Sequence, residues 1–232
     1  MDIVLISGLW LDAKAWDLVA PLLKQAGHRV EAVSLPGQGG GTTGSLDDQI
    51  DAVVAAVDRM DGPVMVVGHS AASTLAWLAG DRRPDAVGRV VMVGGMPTAH
   101  GEQYAPFFEV INGVMPFPGW EPFEGADSDD MSERVRKEFA ANAIPVPETV
   151  THATVTYTDE RRKSVPVVLV CPEFSSVQAR QWFEAGEMPE LKGVQRLDYV
   201  DVDSGHWPML TKPRELADVL DYLTKVPERR GD

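Results

Sequence analysis

Val64-Met65-Val66-Val67-Gly68-His69-Ser70-Ala71-Ala72 is the stretch that decides how this chain of 232 residues folds. Four apolar residues are followed by a serine between small residues, and a segment of good helix formers begins at Thr74. A buried strand, a sharp turn at a serine and a helix are the setting of the G-x-S-x-G nucleophile elbow, with Ala72 at the second glycine. The stretch therefore predicts that Ser70 lies at the carboxyl end of a sheet and at the positive N-terminus of a helix. Taken alone, it also fits an ordinary turn with a serine N-cap.

Short apolar runs alternate with helical segments on both sides of this turn. Several runs are continuous Val, Ile, Leu and Met, which is typical of parallel strands buried on both faces. The predicted strands are Ile3–Ser7, Arg29–Ser34, Val64–Val67, Arg89–Val93, Val165–Val170 and Arg196–Val202, and helices are predicted at Ala13–Gln25, at Leu46–Met60 and from Pro213 onward. The sequence predicts an α/β fold with a doubly wound, mostly parallel sheet of about six strands, which binds ligands at the carboxyl ends of its strands.

The alternation stops between residues 97 and 163, where prolines and aromatic residues are frequent. A structureless loop of this length is rare in a compact domain, so we expect two to four short helices, of which Met131–Asn142 has the clearest pattern. Because the segment follows the fourth predicted strand, we interpret it as a helical lid. The chain would then divide into a core of residues 1–96 and 164–232 and a lid of residues 97–163 that governs substrate choice.

Composition excludes several classes of function. A net charge of −14 argues against binding to nucleic acid or to anionic membranes. Cys171 is the only cysteine, so neither an internal disulfide nor a cysteine-based zinc site fits. There is no signal-peptide pattern, and no run approaches the roughly 20 apolar residues of a membrane span. We expect a cytoplasmic protein that acts on a small molecule without a metal or cofactor; the oligomeric state is not predicted.

A glycine-rich run, Gly39–Gly44, formally matches the dinucleotide-binding pattern G-x-G-x-x-G. A dinucleotide site would also need an acidic residue at the end of the next strand. That strand instead runs into Gly68 and His69. We interpret the run as a flexible loop.

A serine hydroxyl is a poor nucleophile at neutral pH and needs a base. The chain has five histidines, and His206 lies directly after the last predicted strand. A loop at that position projects over the same edge of the sheet as Ser70. An isolated histidine there would be read as an exposed turn residue, but the pairing with the Ser70 turn favours a catalytic base.

An oxyanion hole needs backbone N–H groups fixed about 3 Å from the developing charge. We assign one to Ala71, which follows the serine, and the second to Leu9, which follows the first strand. Trp10 fits equally well as a pocket residue or as a core residue. The other aromatic residues predicted to line an apolar pocket are Phe107, Trp120 and Trp207.

These loops together resemble the α/β-hydrolase superfamily over nearly the whole chain. Ser7–Trp10 is similar to its His-Gly oxyanion loop, Leu35–Gly39 to its Pro-Gly-x-Gly loop, Gly68–Ala72 to its elbow and Gly205–Pro208 to its histidine loop. The opening segment, including Asp12–Trp16, is most similar to the small methylesterase and hydroxynitrile-lyase-like branch. The joint pattern is far more specific than any one motif.

The resemblance implies a third catalytic residue, an aspartate after the strand Val165–Val170, and here the chain departs from the pattern. Ser175 stands at the aspartate position, and Glu173 lies two residues earlier. The acid holds the histidine tautomer and stabilises the imidazolium. Two interpretations stay open: Glu173 reaches His206 by another path, or it is an exposed loop carboxylate.

The function predicted first is that of a serine hydrolase cleaving a small, largely apolar ester or related carbonyl compound through an acyl-enzyme on Ser70. A lyase of the same fold would use Ser70 and His206 for proton transfer only. A catalytically weakened, ligand-binding relative is the third hypothesis, motivated by the missing aspartate.

Overall fold

A computed structural model describes residues 1–39 and 43–226 of the chain. Within these residues the main sheet has six strands: β1 Asp2–Ile6, β2 Val30–Ala32, β3 Val64–His69, β4 Val87–Val93, β7 Val167–Cys171 and β8 Leu197–Asp201. They are all paired in parallel, in the order β2-β1-β3-β4-β7-β8. The predicted fold class is confirmed. Three residues of the glycine-rich run, 40–42, lie outside the described residues.

Eight α-helices are present in the part of the chain that the structure describes. They are α1 Ala20–Gln25, α2 Leu46–Asp58, α3 Ala72–Arg82, α4 Glu133–Asn142, α5 Glu148–Thr151, α6 Ser176–Ala185, α7 Pro208–Thr211 and α8 Pro213–Lys225. Helix α2 begins as predicted, with Ser45 as its N-cap and Asp48 completing a capping box. The helix predicted over Ala13–Gln25 is divided instead into a 3₁₀ turn and α1. Pro21 explains the division, because it lacks the N–H that a continuous helix needs and fits only in a first turn.

The central strands carry the core. Every residue of β3 and of β7 is buried, because helices cover both faces of the sheet. Burying one Val or Leu side chain stabilises the fold by roughly 1.5–3 kcal/mol, so these continuous apolar strands anchor the sheet. Their register brings Gly68 beside Met92 and Cys171 beside Asp201. The loops that follow β3, β7 and β8 therefore leave the sheet at one edge.

A long insertion connects β4 to β7, as predicted. Besides α4 and α5 it contains two 3₁₀ turns, Glu121–Phe123 and Glu160–Ser164, and an antiparallel pair that was not predicted, β5 Val114–Met115 with β6 Val146–Pro147. Two-residue strands are too short to leave an alternating pattern in a sequence. The predicted helix Met131–Asn142 begins two residues later, because Ser132 is its N-cap.

None of the helices within residues 1–39 and 43–226 combines the length and the apolar character that a membrane span requires.

Candidate active site

The turn between β3 and α3 is a tight elbow with Ser70 at its tip. Ser70 has a φ of +56°, in the left-handed region that costs a non-glycine residue roughly 1–2 kcal/mol. Its N–H donates to the Val93 carbonyl at 2.8 Å, which ties the elbow to β4. A Cβ on Gly68 would lie 2.2 Å from the Ala72 carbonyl oxygen, so a side chain there would force the elbow open. The surrounding contacts maintain this strained turn, which presents the Ser70 hydroxyl at the edge of the sheet.

Three side chains predicted from the sequence meet in one chain of hydrogen bonds. His206 Nε2 lies 2.9 Å from Ser70 Oγ, and His206 Nδ1 lies 2.6 Å from Glu173 Oε1. The His206 and Glu173 side chains are only 14% and 13% exposed. A carboxylate accepts only, so Nδ1 carries the proton and Nε2 is left to accept the Ser70 proton. The open question about Glu173 is answered geometrically: its carboxylate faces the imidazole.

Two positions close to Glu173 differ from a site built around an aspartate at residue 175. Ser175, at the family's aspartate position, serves instead as N-cap of α6, where its Oγ accepts from the Gln178 N–H at 3.2 Å. Gly94, at the end of β4, has a φ of +61°, and a Cβ there would lie 3.2 Å from Glu173 Oε2 and 3.3 Å from His206 Nδ1. The missing side chain at residue 94 leaves room for the longer acid.

The loop after β1 lies directly against the elbow. A Cβ on Gly8 would be 3.0 Å from Ser70 Cβ, so the loop that contains Gly8 and Leu9 packs against the elbow. The buried Gln38 holds this loop, since its Nε2 donates to the Gly8 carbonyl at 2.9 Å and to the Leu11 carbonyl at 3.3 Å. Sequence reasoning identified the Pro-Gly-x-Gly loop but not this role of its third residue. That Leu9 and Ala71 supply the oxyanion N–H groups stays a prediction.

His69 connects the elbow to the histidine loop. It is 1% exposed, and its Nε2 lies 2.8 Å from the His206 carbonyl oxygen. Since a carbonyl only accepts, Nε2 carries the proton of a neutral ring. Burial, reinforced by the charge of His206, lowers the pKa of His69 to about 3.

We expect His69 to make the protein sensitive to acid. The unfolded chain takes up a proton at His69 below its usual pKa of about 6.5, whereas the folded protein does not until about pH 3. The stability contributed by neutral His69 is therefore full above pH 6.5 and is lost as the pH falls, by up to about 1.4 kcal/mol per pH unit. Urea unfolding of wild type and His69→Gln at pH 5 and pH 7 measures this difference. An equal loss in both proteins would contradict the assignment.

Aromatic side chains of the insertion pack between the loop after β1 and the histidine loop. Seven rings form a continuous cluster among the described residues, with neighbouring centroids 5.1–6.0 Å apart: Trp10, Phe108, Phe117, Trp120, Phe123, Phe139 and Trp207. Trp207 also packs against the His206 ring at 4.8 Å. The cluster thus joins the two loops that flank Ser70.

The structure differs from the predicted pocket at one residue. Trp10, Trp120 and Trp207 belong to the cluster, but Phe107 is 59% exposed and its neighbour Phe108 takes the inward position. Phe107 and Phe108 lie in an irregular part of the insertion, where the spacing of apolar residues does not tell which of two adjacent phenylalanines faces inward. Trp10 is 4% exposed and packed among the other rings, as expected of a core residue, and its role as a pocket residue stays a prediction.

This chain is similar to known proteins in both sequence and fold. The family model described as "Alpha/beta hydrolase family" matches residues 3–219. Methylesterase 1 of Arabidopsis thaliana is 26% identical over 97% of this chain and 95% of its own. Among solved structures, an extracellular alpha/beta-hydrolase from a Paenibacillus species superimposes with a TM-score of 0.78 at 19% identity, covering 95% of this chain and 97% of that one. A pyrethroid hydrolase from Sphingobium faniae JZ-2 gives 0.70 at 22% identity, covering 99% of both chains.

Proposed function

Because the chain belongs to the alpha/beta hydrolase family, we propose that it is a serine esterase in which Ser70, His206 and Glu173 act as a catalytic triad. The observation that carries the proposal is the hydrogen-bonded series from Ser70 Oγ through both nitrogens of His206 to Glu173 Oε1. The strained backbone at Ser70 supports it, because strain of this kind persists where a nucleophile has to be presented.

The proposed mechanism has two acyl-transfer steps. Ser70 Oγ attacks the ester carbonyl while His206 Nε2 takes its proton, and the N–H groups of Leu9 and Ala71 stabilise the oxyanion. His206 then gives the proton to the leaving alcohol, and the acyl group stays on Ser70. Water activated by His206 attacks the acyl-enzyme, releasing the acid and restoring the hydroxyl. Glu173 keeps the proton on Nδ1 and stabilises the imidazolium in both steps.

The proposed substrate is a small, largely apolar ester. Phe108 and Phe123, the half-buried rings that pack on the buried Trp10 and Trp207, would supply the apolar surface next to the two loops of the site. Relatives named methylesterase and pyrethroid hydrolase are consistent with such a substrate. We favour the esterase over a catalytically weakened relative, because Glu173 Oε1 lies 2.6 Å from His206 Nδ1 and could supply the negative charge that the missing aspartate would provide.

Labelling with a fluorophosphonate tests the nucleophile, and product analysis tests the reaction. We expect stoichiometric labelling at Ser70, blocked by an ester substrate, and release of acid and alcohol from short-chain and aromatic esters. Ser164→Ala, which changes an exposed serine away from the site, should label like the wild type. Labelling elsewhere, or none, would refute the proposal. Labelling at Ser70 with cleavage of cyanohydrins but no ester would favour the lyase.

A further inference from the structure

The insertion contacts both the backbone and the side chains of the histidine loop, Gly205–Pro208. The His206 N–H donates to the Asp127 carbonyl at 2.8 Å, and the Gly205 N–H donates to a carboxylate oxygen of Asp130 at 2.8 Å. Both acceptors belong to residues 125–131, a segment we call the latch turn. Two successive backbone N–H groups of the histidine loop therefore donate hydrogen bonds to the insertion.

The fit between the latch turn and the loop is close. A Cβ on Gly205 would lie 2.4 Å from the Asp127 carbonyl oxygen and 2.5 Å from Asp130 Oδ1. On the other side of His206, the Trp207 ring packs against Trp120 and Phe123 at 5.5 and 5.4 Å. The residues before and after His206 are thus both held by the insertion.

The latch turn is itself well supported. The Ser128 and Asp129 N–H groups donate to the Gly125 carbonyl at 3.0 and 2.9 Å, and the Ser128 hydroxyl donates to the Phe123 carbonyl at 2.6 Å. Arg136 of α4 donates to the Ser128 carbonyl at 2.5 Å. These bonds fix the position of Asp130 relative to α4. Through the Asp130 carboxylate, the histidine loop is therefore connected to α4 of the insertion.

We propose that Asp130 is a positioning residue for His206, and that the latch turn has to be seated on the histidine loop for the enzyme to turn over. This inference rests on the proposed function. It gives the insertion a second role beside the expected control of substrate choice, since Nε2 must stay within about 3 Å of Ser70 Oγ to take the proton. A catalytic base loses efficiency steeply when it shifts by 1 Å.

Three variants test the proposal. Asp130→Ala removes the acceptor and should lower kcat by about 10- to 100-fold, the loss expected for one hydrogen bond to a charged group, with KM within about threefold. Fluorophosphonate labelling of Ser70 should slow in parallel. Asp130→Asn keeps an acceptor oxygen and should retain most of the activity. Asp129→Ala removes the adjacent exposed carboxylate, which makes it the matched control, and should behave as wild type.

A readout independent of turnover separates this proposal from the esterase assignment. Amide hydrogen exchange at Gly205 should speed up in Asp130→Ala and not in Asp129→Ala, even if no ester is cleaved. If Asp130→Ala failed to fold, as judged by circular dichroism, Asp130→Ser would take its place. Equal kcat and labelling in the Asp130 and Asp129 variants, or a change in KM alone, would overturn the positioning role. Absence of Ser70 labelling in the wild type would instead reject the proposed function.

Discussion

Ser70→Ala and His206→Ala are each expected to lower kcat for ester hydrolysis by about 10⁵- to 10⁶-fold. The kcat of the double variant should be barely lower than that of either single variant. Losses of this size and non-additivity are known for a serine and histidine that act as one unit. The 2.9 Å contact between Ser70 Oγ and His206 Nε2 is the physical reason, because neither group transfers the proton without the other. Steady-state kinetics on all three variants, with circular dichroism to verify the fold, measures the effect.

Two matched substitutions control for nonspecific damage. Ser164→Ala and His152→Ala change the same residue types outside the site and should leave kcat within about twofold of the wild type. Near wild-type turnover in Ser70→Ala would eliminate Ser70 as the nucleophile. Losses that simply multiply in the double variant would mean that Ser70 and His206 act in separate steps.

The second large effect concerns Glu173. Glu173→Gln should lower kcat by about 10³- to 10⁴-fold while KM barely moves; the upper figure is the loss measured for the corresponding amide substitution in a serine protease. The amide lacks the negative charge that stabilises the imidazolium, and its NH₂ group can turn toward Nδ1 and select the wrong tautomer. Because Glu173 Oε1 lies 2.6 Å from His206 Nδ1, the substitution changes the hydrogen bond to the imidazole itself. Stopped-flow measurement of acylation with a chromogenic ester would locate the loss in the chemical step.

Glu187→Gln is the control, because it neutralises an exposed glutamate that lies two residues beyond the C-terminal end of α6. Glu173→Asp adds a graded comparison: it keeps the charge but is one carbon shorter, so we expect activity between the wild type and Glu173→Gln. A loss below about tenfold in Glu173→Gln, equal to under about 1.4 kcal/mol of transition-state stabilisation, would show that another group orients His206.

Much of the fold was accessible from local pattern alone. The six strands were predicted within a few residues, because a strand buried on both faces has to be continuously apolar. Element ends were less accurate: the segment from Ala13 to Gln25 divides at Pro21, and α4 begins at Glu133 after its Ser132 cap. The end of a helix depends on which backbone groups find hydrogen-bond partners. The spacing of apolar residues gives no information about those partners.

At the site, the sequence by itself determined Ser70 and His206 as the candidates, since each lies in a short loop directly after a predicted strand and parallel strands bring such loops to one edge. The sequence did not determine whether Glu173 contacts His206 as the third residue of the site. Only the tertiary structure shows that the Glu173 carboxylate lies 2.6 Å from His206 Nδ1, close to the position of Gly94, while Ser175 caps α6. Sequence patterns could not predict the hydrogen bonds of Gln38 and Asp130 either, because each side chain finds its partner in a segment far away in the chain. Spacing along the sequence predicts elements and their order, whereas hydrogen-bond partners are determined by distances in the folded molecule.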